Sequence, residues 1–239
     1  ITIQNNLMTK CESGIFAVGD ATSLIQKINI NKNVIGSWKS TEMLSGYGIN
    51  LYSYINNAEV YQNNIFGPTY NTSGGIGGIN IGNSVFNSSF YNNRISDMIV
   101  RSNYSVNGIL VSSSNSANLI FSNNVITGLM SLGNTYGINV TSGSDYSFYY
   151  NSINLWGDRD TLTTTKSSNV TYDMMITNGT NIKLKNNIFV NTQTAAINSP
   201  KSYSIYNSGA ISKFIEINNN DYYVSGAQGV LAYQGGDKT

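Results

Sequence analysis

Apolar and polar residues alternate in short stretches that recur along the whole chain, and Asn doublets mark the recurrence. Aligned on the first residue of each doublet, the repeats are spaced by 27 to 35 residues, at Asn5, Lys32, Asn63, Asn92, Asn123, Asn151, Asn186 and Asn219. Two residues earlier the aligned position is always apolar or aromatic, as at Ile3, Ile30, Tyr61, Phe90, Phe121, Tyr149, Leu184 and Ile217. Such alternation predicts a short β-strand with one buried face.

A second alternating stretch follows about half a repeat later. It begins with a Gly-Ile pair in most repeats, as in "GINL" and "GINV", and Asp173-Met174 takes its place in one of them. A third short apolar stretch follows most doublets directly, beginning at Leu7, Val34, Ile65, Val125, Ile153 and Ile188. Three short strands per repeat, without a helical pattern, cannot bury an apolar face until repeats stack on one another. The chain is therefore predicted to be all-β: one parallel β-helix (solenoid) domain over residues 1–239, with about eight three-stranded coils.

The recurring Asn doublets are interpreted as a structural ladder. Equivalent residues of stacked coils lie about 4.8 Å apart, so Asn amides can bond to one another and to the turn backbone. Asn also tolerates the left-handed backbone that tight corners need. The predicted ladder consists of Asn6, Asn33, Asn64, Asn93, Asn124, Asn187 and Asn220.

Two repeats are longer than the others, with predicted insertion loops near 154–171 and 198–213. Insertions in a solenoid emerge on its surface, where binding sites often lie. The first insertion contains "WGDRD", which brings Asp158 and Asp160 close to Arg159 and Trp156. One interpretation is a ligand site; the alternative, which we favour, is a solvated loop with a local ion pair. Tyr91 and Tyr150 are predicted to face outward, where they would stack on a sugar ring or on their own neighbours.

The coils "NNIF", "NNVITG" and "YNSINLWG" resemble those of the right-handed parallel β-helix superfamily, the pectate-lyase-like fold, over nearly the whole chain. The chain looks most similar to Asn-rich β-helix proteins secreted by Bacteroidota-type bacteria, which often end in segments like residues 218–239. The resemblance implies a right-handed solenoid and an outer-surface or extracellular location. It also implies export by the type IX secretion route as part of a longer polypeptide. The superfamily contains lyases, hydrolases, adhesins and purely structural arms.

Composition narrows the possible partners. The net charge is +1 and only 10% of residues are charged, whereas 37 residues are Asn. Nucleic acids and anionic membranes require clustered Lys and Arg, so neither is predicted as a partner. No apolar run reaches about 18 residues, so no membrane-spanning helix is expected. The chain opens without Met or a signal peptide, which suggests a mature product or an excerpt.

Candidate chemistry is sparse. The chain has no His, which removes Ser-His-Asp and Cys-His catalysis and His-ligated zinc. The single Cys11 cannot form an internal disulfide and is interpreted as an inert small residue. Calcium needs several carboxylates, and only Asp158 and Asp160 are close in sequence. No catalytic residue, metal or cofactor is predicted, and Ca²⁺ is kept only as an unsupported possibility.

The leading functional hypothesis is a non-catalytic structural or adhesive arm of a bacterial surface or secreted protein. Its expected partners are surface polysaccharide or other cell-surface proteins. One alternative is a β-helix that binds or degrades polysaccharide. Another is a substrate or component of an outer-membrane secretion or gliding machinery, with secretion proteins as partners.

Overall fold

The computed structural model describes residues 1–39, 41–67, 69, 76–162, 168–195 and 200–238. In these ranges the chain is an all-β parallel solenoid, as the repeats predict. Each coil contributes one strand to each of three parallel sheets, and strands stack in sequence order. Each sheet is eight strands deep along this path, so about seven turns separate the first coil from the last. At about 4.8 Å per turn the stack is about 34 Å long.

The strands of each sheet follow one another at one-coil intervals. The first sheet contains Thr2–Gln4, Ile25–Asn31, Ile55–Tyr61, Ser88–Tyr91, Leu119–Ser122, Ser144–Tyr149, Thr180–Lys185 and Phe214–Asn218, with Val85–Phe86 also paired to its third strand. The second contains Leu7–Met8, Val34–Gly36, Asn64–Phe66, Arg94–Ser96, Val125–Thr127, Ser152–Leu155, Ile188–Asn191 and Asp221–Val224. The third contains Ile15–Val18, Tyr47–Ser53, Ile76–Ile81, Val106–Val111, Thr135–Val140, Thr171–Ile176, Ser202–Asn207 and Gly229–Gln234.

A few short elements lie outside this pattern. Asp237–Lys238 runs antiparallel to the last strand of the third sheet, and Ile99–Val100 pairs with Met130–Ser131. Two single-turn 3₁₀ helices span Arg159–Thr161 and Ile211–Lys213. Both fall in the predicted insertions, and residues 163–167 and 198–199 of those insertions lie outside the described ranges.

The core is built from columns of identical or similar apolar side chains. Residues alternate between the interior and the outer face along each strand, so one column descends inside each sheet. In the first sheet that column includes Phe90, Phe121 and Phe148, whose ring centroids are 5.0 and 4.7 Å apart. Each fully buried side chain of this size contributes about 1.5–3 kcal/mol. The apolar columns therefore dominate the stability of the solenoid.

Glycines of the third sheet leave room for the isoleucines of the second. A Cβ added at Gly108 would lie 2.6 Å from Ile126 Cγ2 and 2.5 Å from the Gly137 carbonyl oxygen. A Cβ added at Gly78 would be equally close to Ile95, and one added at Gly137 would be equally close to Ile153. The recurring Gly-Ile pairs are thus explained by packing across the interior.

We expect Gly108→Ala to lower the free energy of unfolding by about 2–3 kcal/mol, because a close backbone oxygen prevents simple repacking. Urea denaturation would measure the loss. Gly226→Ala is the control: nothing lies within 4 Å of the added Cβ, so only the φ of 73° opposes alanine there. A cost for Gly108→Ala no larger than that of the control would contradict the packing explanation.

A continuous Asn ladder runs through the corner between the first and second sheets. In each of seven steps the Nδ2 of one Asn donates to the Oδ1 of the next at 2.8–3.0 Å. The backbone N–H of the same residue donates to that oxygen as well, at 2.9–3.1 Å. The members are Asn6, Asn33, Asn63, Asn93, Asn124, Asn151, Asn187 and Asn220. The predicted ladder exists, and six of its seven predicted members belong to it.

The prediction was wrong at Asn64, and it omitted Asn151. In every coil the residue before the ladder Asn has a positive φ, and in these two coils that residue is Gln62 or Tyr150. Alignment on the first Asn of each doublet shifted both coils by one residue. The inward residues are therefore Val60 and Phe148, not the predicted Tyr61 and Tyr149.

Candidate binding surfaces

The first predicted site, in the insertion after the sixth strand of the second sheet, is buried at Arg159 and Asp160 and exposed at Trp156 and Asp158. Asp158 caps the 3₁₀ helix Arg159–Thr161, and its Oδ1 accepts a hydrogen bond from the Asp160 N–H at 2.9 Å. Arg159 is 0% exposed and Asp160 8%, whereas Trp156 is 49% exposed. The four residues are close together, but the carboxylates and the guanidinium do not form an open polar cleft.

The insertion is held against the coils on either side of it. The Arg159 N–H donates to the Thr194 carbonyl at 2.9 Å, and the Asn169 Nδ2 donates to the Leu132 carbonyl at 2.8 Å. In addition, the Arg101 guanidinium donates to the Leu162 carbonyl at 2.5 Å. These contacts tie the described parts of the insertion to neighbouring coils.

Burial lowers the pKa of Arg159 to about 10, while the charges of Asp160 and Asp158 act in the opposite direction. The guanidinium is therefore still cationic at neutral pH. A buried charge that loses its partner is costly, so removing the Asp160 carboxylate would destabilise the loop around the buried Arg159. The segment is partly buried rather than solvated throughout, and the local ion pair stays a prediction.

Tyr91 and Tyr150 were predicted to share an outward column, and the structure separates them. Tyr91 faces outward in the first sheet and stacks on Tyr61, with ring centroids 4.8 Å apart and parallel planes. Tyr150 is at the left-handed corner, 58% exposed with a φ of 57°. It is Tyr149 that belongs to the Tyr91 column, two coils further on, with Ser122 between them. The cause is again the one-residue shift at Asn151.

A shallow concavity lies beyond Tyr149 on the outer face of the first sheet. It is lined by Tyr149, Tyr150, Lys185, Asn186 and Glu216. The Lys185 ammonium is 3.1 Å from the Glu216 carboxylate, and both side chains are 37% exposed. An ion pair this exposed contributes little to stability. Because both side chains are partly exposed, both charges are accessible to a ligand.

A cluster of tyrosines on the outer face of the third sheet was not predicted. Tyr136, Tyr172 and Tyr203 stack in successive coils at 5.2 and 5.6 Å, and Tyr206 stacks on Tyr233 at 4.3 Å. Burial raises the pKa of the Tyr172 and Tyr203 hydroxyls. The recurrence of Tyr at near-repeat spacing was the sequence signal for this cluster. Stacked rings cover one another's faces, so the cluster stabilises the sheet more than it offers flat surfaces to a ligand.

Asp173 is a buried carboxylic acid to which the sequence assigned no functional role. It replaces the inward glycine of the third sheet, is 0% exposed, and neither oxygen has a hydrogen-bond partner within bonding distance. Burial raises its pKa well above the usual range, and Ser204 opposes the shift only in part. Because the Ser204 hydroxyl donates to the Phe189 carbonyl at 3.3 Å, burial is the cause to which we give most weight. Asp173 has no route to a ligand, so we interpret it as a strained core position.

Metal and thiol chemistry find little support in the described ranges. Within them, no three His, Cys, Asp or Glu residues come together as metal ligands. Cys11 is half-buried, and burial raises the pKa of its thiol, which disfavours the reactive thiolate. None of the helices in those same ranges is long and apolar enough to cross a membrane.

Comparison with known proteins finds no relative from which a role for these surfaces could be inferred. No protein-family model, curated protein or solved structure matches the chain. The fold is therefore established by the geometry of the chain itself: a parallel β-solenoid with an interior asparagine ladder.

Proposed function

We propose that the chain is a rigid, non-catalytic arm of a bacterial cell-surface or secreted protein, and that it serves a structural or adhesive role. The unbroken ladder of eight Asn residues, six of them buried, carries this proposal. Each step links two coils by a side-chain bond and a backbone bond, in addition to three parallel sheets. Such redundant cross-linking favours a stiff rod that holds attached parts at a fixed distance.

The outer surface is consistent with an extracellular role. Charged residues make up 10% of the chain, and solubility depends on amides and hydroxyls. A second set of stacked amides lies on the exterior, where Asn56 donates to Gln26 and accepts from Asn87, both at 2.8 Å. Uncharged hydrogen-bonding groups of this kind suit contact with neutral polymers outside a cell.

The location can be tested with antibodies raised against the folded chain. We expect intact cells of the source organism to be labelled as strongly as permeabilised cells, and brief protease treatment of intact cells to remove the signal. An antibody to a known cytoplasmic protein provides the control. Labelling that appears only after permeabilisation would refute the surface arm.

Binding of polysaccharide is the second candidate function, and one observation favours it. Tyr61, Tyr91 and Tyr149 occupy one outward column of the first sheet, close to the concavity that contains Lys185 and Glu216. Aromatic rings next to hydrogen-bonding groups are suited to sugar rings, which are apolar on their faces and polar at their edges.

Export by the type IX route, as a substrate or component of outer-membrane machinery, is a further proposal that rests on the sequence resemblance. It is tested by pull-down from the native cell surface with mass spectrometry. Recovery in a long polypeptide together with outer-membrane secretion proteins would support it. Recovery as a free 26.0 kDa protein would refute it.

A further inference from the structure

We propose that a slot on the outer face of the first sheet, between Tyr91 and Tyr149 above Ser122, binds one neutral sugar ring. The inference deepens the second candidate function and rests on it. It assigns a place, an orientation and a class of ligand to the interaction.

The width of the slot follows from the strand register. Tyr91 pairs with Ser122, and Ser122 pairs with Tyr149, in successive strands of the sheet. Two strand spacings place the Cα atoms of the two tyrosines about 9.6 Å apart. Rings in adjacent coils of this protein stack at 4.3–5.6 Å. The column Tyr61, Tyr91, Ser122, Tyr149 is thus a stack of rings with one ring missing.

The orientation of the Tyr91 ring makes this gap a slot. Its plane is parallel to that of Tyr61, and the centroid separation of 4.8 Å matches the strand spacing, so the rings stand across the long axis. One face of Tyr91 is covered by Tyr61. The other face is directed towards the position of Ser122, whose side chain is too small to cover an aromatic ring.

The groups around the slot match a neutral polyhydroxylated ring. The adjacent outward column contributes Ser89, Ile120 and Ser147, and Ile120 is 39% exposed. On the opposite side, the left-handed corner positions carry Asn92 and Asn123. Hydroxyls and amides both donate and accept hydrogen bonds, as sugar hydroxyls do. None of these five positions is charged, which favours a neutral sugar over a uronic acid.

The geometry also fixes how a glycan would approach. A sugar ring stacked on the open face of Tyr91 lies across the solenoid axis, as the Tyr91 ring does. The linkages of the sugar then leave the slot towards Ile120 on one side and Asn123 on the other. A polysaccharide would therefore cross the sheet along the strand direction, and only one of its rings would be sandwiched.

The test compares neutral oligosaccharides of glucose, mannose and xylose with an oligogalacturonate, by saturation-transfer NMR and calorimetry on the whole chain. We expect wild type to bind at least one neutral oligosaccharide with a dissociation constant of about 1 mM. Ser122→Tyr inserts the missing ring and should weaken binding about tenfold or more, because both stacking faces are then occupied. Ser122→Ala keeps the slot open and should change the dissociation constant less than about threefold.

The second part of the test removes the Tyr149 ring, one of the two rings that border the slot. Tyr149→Ala should weaken binding by about the same factor as Ser122→Tyr, whereas Tyr206→Ala, in the tyrosine cluster of the third sheet, should leave it unchanged. Circular dichroism establishes that each variant is folded before its binding is interpreted.

The possible outcomes separate the slot from the function on which it rests. If wild type binds neither the neutral oligosaccharides nor the oligogalacturonate, saccharide binding and the slot are both refuted. If it binds only the oligogalacturonate, the neutral-sugar slot is refuted but saccharide binding stands. If wild type binds a neutral oligosaccharide and Ser122→Tyr binds it equally well, the slot is refuted but saccharide binding stands. If only an aromatic probe such as indole binds, and Ser122→Tyr abolishes its binding, the assignment to sugar is refuted.

Discussion

Replacing Asn63 by Leu is expected to lower the free energy of unfolding by about 3–5 kcal/mol. The Asn63 Oδ1 accepts hydrogen bonds from the Asn33 backbone N–H at 3.1 Å and from the Asn33 Nδ2 at 2.9 Å. Its own Nδ2 donates to the Ile30 carbonyl at 2.9 Å. Leucine has a similar volume but no polar atom, so these buried groups would lose partners without access to water. Urea denaturation would measure the loss.

Asn64→Leu is the matched control for this experiment. Asn64 is the very next residue, but it faces outward in a column that carries Val34 and Val125 in nearby coils. Its Oδ1 accepts no hydrogen bond in the described structure. We expect this substitution to change stability by less than about 1 kcal/mol. Equal costs for the two variants would show that the ladder does not pass through Asn63.

Replacing Asp173 by Asn is expected to raise stability at pH 7 by about 1–3 kcal/mol. In the folded chain the buried carboxyl has a raised pKa, so folding favours its protonated form. In the unfolded chain the carboxyl ionises near its ordinary pKa of about 3.9. Stability is therefore highest below that pH and falls as the pH rises towards the folded-state pKa. Asparagine cannot ionise, so the variant should lose this dependence.

The measurement is the urea midpoint of wild type and Asp173→Asn between pH 3 and pH 8. The two curves should diverge steadily above about pH 4, with the variant more stable. Asp221→Asn serves as the control, because it removes the same charge from an exposed position and leaves the core unchanged. A variant that is less stable than wild type at pH 7 would contradict the cost assigned to the buried charge.

The fold could be predicted from the sequence because the solenoid repeats one set of local rules. Apolar alternation, Gly-Ile pairs and Asn doublets each mark one strand or one corner, and the structure contains all of them. The register was harder, since an Asn doublet does not show which of its members faces inward. In two coils the left-handed corner carries Gln62 or Tyr150, where the other doublets led us to expect Asn. The register is identified only by the alignment in which all eight ladder positions are Asn, including Asn63 and Asn151.

The candidate sites were less predictable for a different reason. The hydrogen bond of Arg101 with Leu162 joins residues 61 positions apart. No local sequence pattern predicts that the insertion contacts earlier coils in this way. Likewise, Ser122 is an ordinary strand residue in sequence, and it becomes a gap between two rings only when Tyr91 and Tyr149 are brought into one column.

The asparagine ladder also gives the solenoid an electrical direction. Every Nδ2 from Asn6 to Asn187 donates towards the following coil, and every Oδ1 that accepts it faces the preceding one. The side-chain amide dipoles are therefore aligned, with the negative end towards the first coil and the positive end towards the last. Aligned hydrogen bonds polarise one another, as they do in a helix. A break at one coil is then felt by its neighbours in both directions, and the rod responds to it as one polarised chain.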